Sequence, residues 1–193
     1  EEDARAIVAR RKTDRAPLPE ARTLADWLEE EDPPETWRIE GWQPAGSRVV
    51  LAAQYKAGKT TLVGNLARVL VDGGRFLGTG LVEPLAGSVV VLDDEMSPRQ
   101  LKAWLRDQGI RNAHQVIAES LKGRASMLDL MDDDRRAEWV TWLRSVHCEY
   151  LIIDCLRPVM DALALDENHE AGRFLVALDS LLVEAGIPDA CLV

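Results

Sequence analysis

The sequence contains few cysteines and no long apolar segment. Its three cysteines among 193 residues, Cys148, Cys155 and Cys191, are odd in number and widely spaced. Such cysteines do not suit a disulfide framework or a zinc site, so we expect buried thiols in a reducing cytosol. Apolar runs stay well below the roughly 20 residues of a membrane span, and no secretory signal stands at the start. The composition therefore predicts a cytoplasmic protein without a membrane partner.

Basic residues are fewer than acidic ones. The chain has 23 Lys and Arg against 33 Asp and Glu, which gives a formal net charge of −10. Because nucleic acids are polyanions, this balance argues against a protein whose surface is broadly basic for DNA binding. A local basic patch or an oligomeric pore that binds an acidic strand remains compatible with it.

The chain divides into a charged start and a longer alternating region. It begins Glu-Glu-Asp without methionine, so we expect a fragment or a processed product. Residues 1–35 are predicted to be a linker with a short helix, which Thr23 can cap and the prolines at 33–34 can stop. Apolar strands then alternate with amphipathic helices. The predicted strands are 49–52, 88–92, 115–121, 150–153 and 190–193, and helices are predicted at 98–108, 132–146 and 170–185.

This alternation predicts the fold class. Strands that alternate with helices form a three-layer α/β/α domain with a mainly parallel sheet, here over residues 36–193. The chain stops at Val193, inside the last predicted strand, so we expect this core to be incomplete and truncated at its C-terminus.

A phosphate-binding pattern follows the first strand of this domain. An apolar strand leads into a loop that ends Gly58-Lys59-Thr60, and apolar residues then recur at helical spacing. The loop N–H groups and the helix N-terminus form a nest for phosphate. Gly58 permits close approach, Lys59 places its charge near the β and γ oxygens, and the Thr60 hydroxyl can ligate Mg²⁺.

The loop departs from the full phosphate-binding pattern at one position. In G-x-x-x-x-G-K-[ST] the first position is glycine, and Ala53 stands there. This change removes no charge or ligand, so we expect it to be tolerated. ATP and Mg²⁺ are the expected cofactors. The predicted nucleotide-binding residues are Ala53, Gln54, Tyr55, Lys56, Ala57, Gly58, Lys59, Thr60 and Thr61.

Acidic residues follow two apolar strands at the sheet edge where ligands collect in α/β proteins. Asp93-Asp94-Glu95 follow the earlier strand and Asp154 follows the later one. Hydrolysis needs a Mg²⁺ ligand and a group that orients or deprotonates water. We assign Asp154 to Mg²⁺, beside Thr60, and Glu95 as the base, with Lys59 as the second catalytic residue. Asp93 and Asp94 remain alternatives.

These motifs together resemble those of RecA-like ATPases, most closely the hexameric replicative helicases of the plasmid RepA and bacterial DnaB kind. The resemblance rests on the loop through Thr61, on Glu95-Met96-Ser97 and on the strand ending at Asp154. The ATPase segment of actinobacterial or phage replication proteins is similar too. The resemblance implies a RecA-like core that binds and hydrolyses ATP with Mg²⁺. It also implies a homo-oligomeric, hexameric ring in DNA replication or its initiation, with single-stranded DNA as a partner.

Some family features are not found in this sequence. The family places a polar sensor residue after the next core strand and receives an arginine finger from a neighbouring subunit, and neither is identified here. RecA-like proteins often place a DNA-contacting loop after the strand that ends at Asp154. In this chain that segment has Arg157 against four acids, which is poor chemistry for phosphate contact: Asp161, Asp166, Glu167 and Glu170.

Two other functions use a phosphate-binding loop. One is a non-motor module in which ATP sets assembly or the loading of a partner, and the acidic charge favours it. The other is a small-molecule kinase, which usually carries a lid with several arginines. The arginines here lie on predicted amphipathic helices, so the kinase is the weaker alternative.

Overall fold

The structure, a computed structural model, describes residues 18–54, 57–166 and 169–193. The charged stretch 1–17 and three residues named above, Tyr55, Lys56 and Glu167, lie outside the described residues. The chain divides into two compact units, Glu1–Pro34 and Glu35–Val193. In the first unit, helix α1 (Leu24–Leu28) begins after Thr23, whose hydroxyl oxygen accepts a hydrogen bond from the Asp26 N–H.

The second unit contains the remaining strands and helices. The strands are β1 (Trp37–Ile39), β2 (Gln43–Pro44), β3 (Arg48–Val50), β4 (Gly74–Phe76), β5 (Gly80–Val82), β6 (Ser88–Asp93), β7 (Val116–Ser120), β8 (Cys148–Asp154) and β9 (Asp189–Leu192). The helices are α2 (Lys59–Asp72), α3 (Pro98–Asp107), α4 (Asp133–Ser145), α5 (Leu156–Ala162) and α6 (Ala171–Ala185), with short 3₁₀ turns at Ala113–Gln115 and Ala125–Leu128.

Five of these strands form one parallel sheet in the order β3-β9-β8-β6-β7. The continuous apolar runs of β6 and β8 lie in the interior of the sheet and are buried on both faces, as such runs are in parallel sheets. Strand β7, with its weaker apolar pattern, lies at an edge and is only partly buried. Asp93 at the end of β6 stands opposite Asp154 on β8 and Ser120 on β7.

Helices cover both faces of the sheet. Successive side chains of a strand point to opposite faces, so Val89 and Val91 pack on the face covered by α2. Val90 and Leu92 pack on the other face, which α4, α5 and α6 cover. The three-layer α/β/α architecture with a parallel sheet is therefore confirmed. Among the described helices, none is both long and apolar enough to cross a membrane.

Two features of the fold are not among the elements predicted from the sequence. The first is the hairpin of β4 and β5, in which Gly80 packs so closely that an added Cβ would lie 2.7 Å from the carbonyl oxygen of Glu40. The second is helix α5, which directly follows β8. Pro158 stands in its first turn, where a helix needs no N–H donor, and Val159 and Met160 are buried. Tertiary packing thus forms a helix in the segment where a DNA-contacting loop was considered.

Candidate active site

The loop between β3 and α2 turns at Gly58. This residue has φ 88° and ψ 18°, a left-handed conformation that favours glycine, and α2 begins immediately after it. The ammonium Nζ of Lys59 donates hydrogen bonds to the carbonyl oxygens of Ala53 at 2.9 Å and Gln54 at 3.2 Å. The lysine charge therefore lies against the loop, close to the N-terminus of α2, whose first N–H groups lack helical partners.

Alanine at position 53 fits the backbone that it occupies. Among the described non-glycine residues, a positive φ is found at Leu77, His147 and Ala164, and Ala53 is not one of them. The side chain of Ala53 is exposed. Neither the backbone conformation nor the packing therefore requires glycine at position 53.

Thr60 and Asp154 meet at the carboxyl end of β8. Asp154 is buried, and this burial, with the negative charges of Asp93 and Glu95, raises its pKa to about 6. A hydrogen bond from Thr60 and the positive charge of Lys59 lower the pKa and only partly offset this rise. The Oδ2 atom of Asp154 is buried and has no hydrogen-bond partner among the described residues. An acceptor without a partner beside a hydroxyl is suited to a cation.

Asp93 has a structural position at the end of β6. Its Oδ1 atom accepts hydrogen bonds from the backbone N–H groups of Glu95 at 3.1 Å and Met96 at 2.6 Å, so it holds the turn that follows the strand. Burial raises the pKa of Asp93 despite these two bonds. A carboxylate occupied in this way is poorly placed to bind a water molecule or a metal ion.

Asp94 is buried among other acids. Its Oδ1 atom accepts a hydrogen bond from the backbone N–H of Cys155 at 3.1 Å, and its Oδ2 atom has no partner in the described part of the chain. Burial, supported by the charges of Asp93, Asp154 and Glu95, raises the pKa of Asp94 to about 7. This carboxyl group is therefore partly protonated near neutral pH in the protein without ligands.

Glu95 is the exposed member of the three consecutive acids. Asp93 and Asp94 are 2% and 6% exposed, whereas Glu95 lies on the surface beyond the strand end. Its Oε1 atom accepts a hydrogen bond from the thiol of Cys155 at 3.3 Å. Of these acids, Glu95 alone presents its carboxylate to solvent at this end of the sheet.

The structure brings most of the predicted site residues together. The positive charge of Lys59 lowers the pKa of Asp154, and the negative charge of Glu95 raises it. A hydrogen bond from Thr60 to Asp154 also lowers this pKa. Two residues at the site were missed in the sequence. Cys155 contacts Glu95, and Trp104 donates its Nε1–H to the Thr60 carbonyl oxygen at 3.3 Å. Cys155 could have been found because it directly follows Asp154, whereas the contact of Trp104 depends on how α3 packs.

The acid cluster does not form a metal cage of its own. Within the described ranges, no group of three or more His, Cys, Asp or Glu side chains could hold a metal ion. Mg²⁺ at nucleotide sites usually takes one or two protein ligands and completes its shell with phosphate and water. Thr60 and the unsatisfied Oδ2 of Asp154 fit such a site.

Comparisons with known proteins give a family and a fold. A family model described as an AAA domain matches residues 12–191. No curated protein is significantly similar to the chain. The fold is similar to that of a KaiC-like protein from the hyperthermophilic archaeon Pyrococcus horikoshii OT3, with 19% identity, a TM-score of 0.53, and coverage of 80% of this chain and 64% of that one. The RadB recombinase structure has 17% identity, a TM-score of 0.44, and coverage of 77% and 61%.

The chain spans less than two thirds of the length of either solved structure, 64% and 61% respectively. At 19% identity the similarity to the KaiC-like protein shows the fold, and it confirms the RecA-like α/β/α core. The family match extends over nearly the whole sequence. The chain therefore belongs to the AAA-domain family and has a RecA-like α/β/α fold.

Proposed function

We propose that this domain binds ATP with Mg²⁺ and hydrolyses it where the N-terminus of α2 meets the carboxyl ends of β6 and β8. One observation carries the proposal. Thr60 donates a hydrogen bond to the buried Asp154, and the positive charge of Lys59 lowers the pKa of Asp154. Glu95 is exposed just beyond the end of the neighbouring strand. The positive charge of Lys59, a hydroxyl beside a buried carboxyl group and an accessible carboxylate thus lie at one sheet edge, and phosphoryl transfer to water uses groups of these kinds.

The loop and the first turn of α2 bind the phosphates in this proposal. Gly58 keeps the backbone open, and the Lys59 ammonium, now bonded to two loop carbonyls, is close enough to the loop to reach a bound phosphate. Thr61 and the N–H groups of the helix start add donors. The full set of proposed nucleotide-binding residues is Ala53, Gln54, Tyr55, Lys56, Ala57, Gly58, Lys59, Thr60 and Thr61.

Thr60 and Asp154 are the proposed metal-binding pair. The Thr60 hydroxyl and the buried, unsatisfied Oδ2 of Asp154 supply oxygen ligands, directly or through water. When bound, Mg²⁺ neutralises charge that develops on the phosphate oxygens.

Glu95 is the proposed general base. Its carboxylate is exposed, so it can accept a proton from water, whereas Asp93 holds a turn and Asp94 is buried against Cys155. The second carboxylate oxygen, Oε2, has no hydrogen bond to any described residue and can accept this proton. These contacts favour Glu95 over the two alternatives that the sequence left open.

Phosphate release from ATP tests the proposal. We expect Mg²⁺-dependent release by the unaltered chain and its loss in Lys59→Ala, because the variant lacks the charge that holds the phosphates. The matched control is Glu83→Gln, a change at an exposed loop residue, which should hydrolyse normally. Equal release with and without Mg²⁺, or normal release by Lys59→Ala, would contradict the proposal.

The wider role that we propose is a ring-forming DNA replication helicase or replication initiation protein that acts on single-stranded DNA. Its support is the motif resemblance together with the RecA-like fold. Light scattering with a non-hydrolysable ATP analogue should show a hexamer, and single-stranded DNA should stimulate hydrolysis. Failure of single-stranded DNA to stimulate hydrolysis would contradict this role, whether or not the domain assembles.

One observation favours the alternative of an assembly or loading module. In α5 the exposed Arg157 lies 3.4 Å from Asp161, so its charge is offset within its own helix. The segment therefore lacks the excess of positive charge that DNA phosphates attract. Nucleotide-driven assembly with no response of hydrolysis to DNA would support the module over the motor. A small-molecule kinase is the weaker alternative, and release of phosphate without any acceptor counts against it.

A further inference from the structure

Cys155 joins the two acidic strand ends through two hydrogen bonds. Its backbone N–H donates to Oδ1 of Asp94 at 3.1 Å, and its thiol donates to Oε1 of Glu95 at 3.3 Å. A third hydrogen bond runs in the opposite direction, from the N–H of Asp94 to the carbonyl oxygen of Asp154 at 3.0 Å. The first residue after β8 is thus fastened to the two residues that follow the end of β6.

Glu95 would otherwise be held by its backbone alone. Its N–H is fixed by Asp93 at 3.1 Å, but its side chain extends from the surface turn and has three rotatable bonds. The contact with Cys155 restricts one carboxylate oxygen. Within the described residues, the other oxygen has no hydrogen-bond partner and remains accessible. Such a contact orients a general base without occupying the atom that accepts the proton.

The thiol is suited to remain a donor. Cys155 is 9% exposed, and its sulfur lies 3.3 Å from Oε1 of Glu95. The thiol is the donor in this contact, because a carboxylate oxygen can only accept a hydrogen bond. The other two cysteines, Cys148 and Cys191, are also buried, but no hydrogen bond joins either to a site carboxylate in the described chain.

The geometry points to Cys155 as a positioning residue that holds the Glu95 carboxylate for proton abstraction. This inference rests on the ATPase proposed above and adds a role for a residue that touches neither the phosphates nor the metal in that proposal. Ordering one Glu side chain is worth about 1–2 kcal/mol, which corresponds to about a 5- to 30-fold change in rate.

The test compares three cysteine variants by steady-state hydrolysis and by binding of a fluorescent ATP analogue. Cys155→Ala removes the donor, so we expect kcat to fall about 10-fold while nucleotide affinity is unchanged. Cys155→Ser keeps a donor and should restore kcat to within about threefold. Cys148→Ala removes an equally buried thiol at the opposite end of β8 and should leave kcat unaltered.

A double variant separates positioning from general damage to the fold. In the Glu95→Gln background, Cys155→Ala should cause no further loss of rate, because the base that it positions is already absent. Infrared spectroscopy gives a readout that does not depend on turnover. The S–H stretching band that disappears in Cys155→Ala should shift in Glu95→Gln, since the acceptor changes from a carboxylate to an amide.

Four results would each overturn the inference alone. Three of them are normal kcat in Cys155→Ala, failure of Cys155→Ser to restore the rate, and an S–H band that Glu95→Gln leaves in place. A further loss from Cys155→Ala in the Glu95→Gln background would do the same. Absence of hydrolysis by the unaltered chain would instead overturn the proposed function together with this inference. The two failures are therefore distinguishable.

Discussion

Replacement of Asp94 by asparagine should stabilise the ligand-free domain, and more so at high pH than at low pH. Asp94 is 6% exposed, and its Oδ2 atom has no partner among the described residues. Its neighbours include three other acids, and burial with their charges raises its pKa from the ordinary value of 3.8 to about 7. A charged Asp94 is therefore unfavourable in the folded state.

The direction of this pH dependence follows from proton binding to Asp94 in the folded and unfolded states. Between pH 4 and pH 7 the folded chain retains the Asp94 proton, while the unfolded chain releases it. The free energy of unfolding therefore falls as pH rises through this window. Above pH 7 the total loss is at most about 4 kcal/mol. With these pKa values, Asp94 lowers the free energy of unfolding by about 2 kcal/mol more at pH 8 than at pH 5.5.

Urea unfolding followed by tryptophan fluorescence measures this effect. Chelator is present so that no metal ion binds the acids, and pH 5.5 keeps the chain above its sequence pI of about 4.8. We expect Asp94→Asn to gain about 2 kcal/mol more at pH 8 than at pH 5.5. Asp107→Asn, at an exposed position, is the control and should change stability by less than about 0.5 kcal/mol at both pH values. Equal gains at the two pH values, or destabilisation at pH 8, would show that a charged Asp94 does not destabilise the folded domain.

Other predictions concern the fold that carries the site. Asp189 is fully buried and accepts hydrogen bonds from Arg38 at 2.8 Å and from two backbone N–H groups, so Asp189→Ala should cost about 3 kcal/mol in the free energy of unfolding. An unchanged urea midpoint would contradict this. Gly80→Ala should cost about 2 kcal/mol, because its Cβ would lie 2.7 Å from the Glu40 carbonyl oxygen. Gly172→Ala, in α6 with open space around it, should instead gain about 0.5 kcal/mol, and thermal unfolding of the pair distinguishes the signs.

Much of the fold could be predicted because its signals are local. The apolar runs of β6 and β8 are continuous, which indicates strands buried on both faces, and acids directly follow each of them. Parallel pairing then places Asp93 opposite Asp154 at one edge. The weak apolar pattern before Leu121 likewise corresponds to the partly buried edge strand β7.

The distinct environments of the three consecutive acids could not be predicted from sequence. Asp93, Asp94 and Glu95 have the same chemistry, and their positions differ because of contacts across the sheet with Cys155 and within the turn. The helix after Asp154 was also missed. Its seven residues are too few to show a clear periodicity, and it is formed by packing of Val159 and Met160 against the core.

The proposed role of Glu95 as the base is tested most directly by measuring ATP binding and ATP hydrolysis on the same Glu95→Gln variant. The exchange keeps the size of the side chain and removes its basicity. We expect ATP affinity like that of the unaltered chain and a rate of hydrolysis lower by about 100-fold or more. Hydrolysis at the normal rate by Glu95→Gln would contradict the claim that this exposed carboxylate is the base.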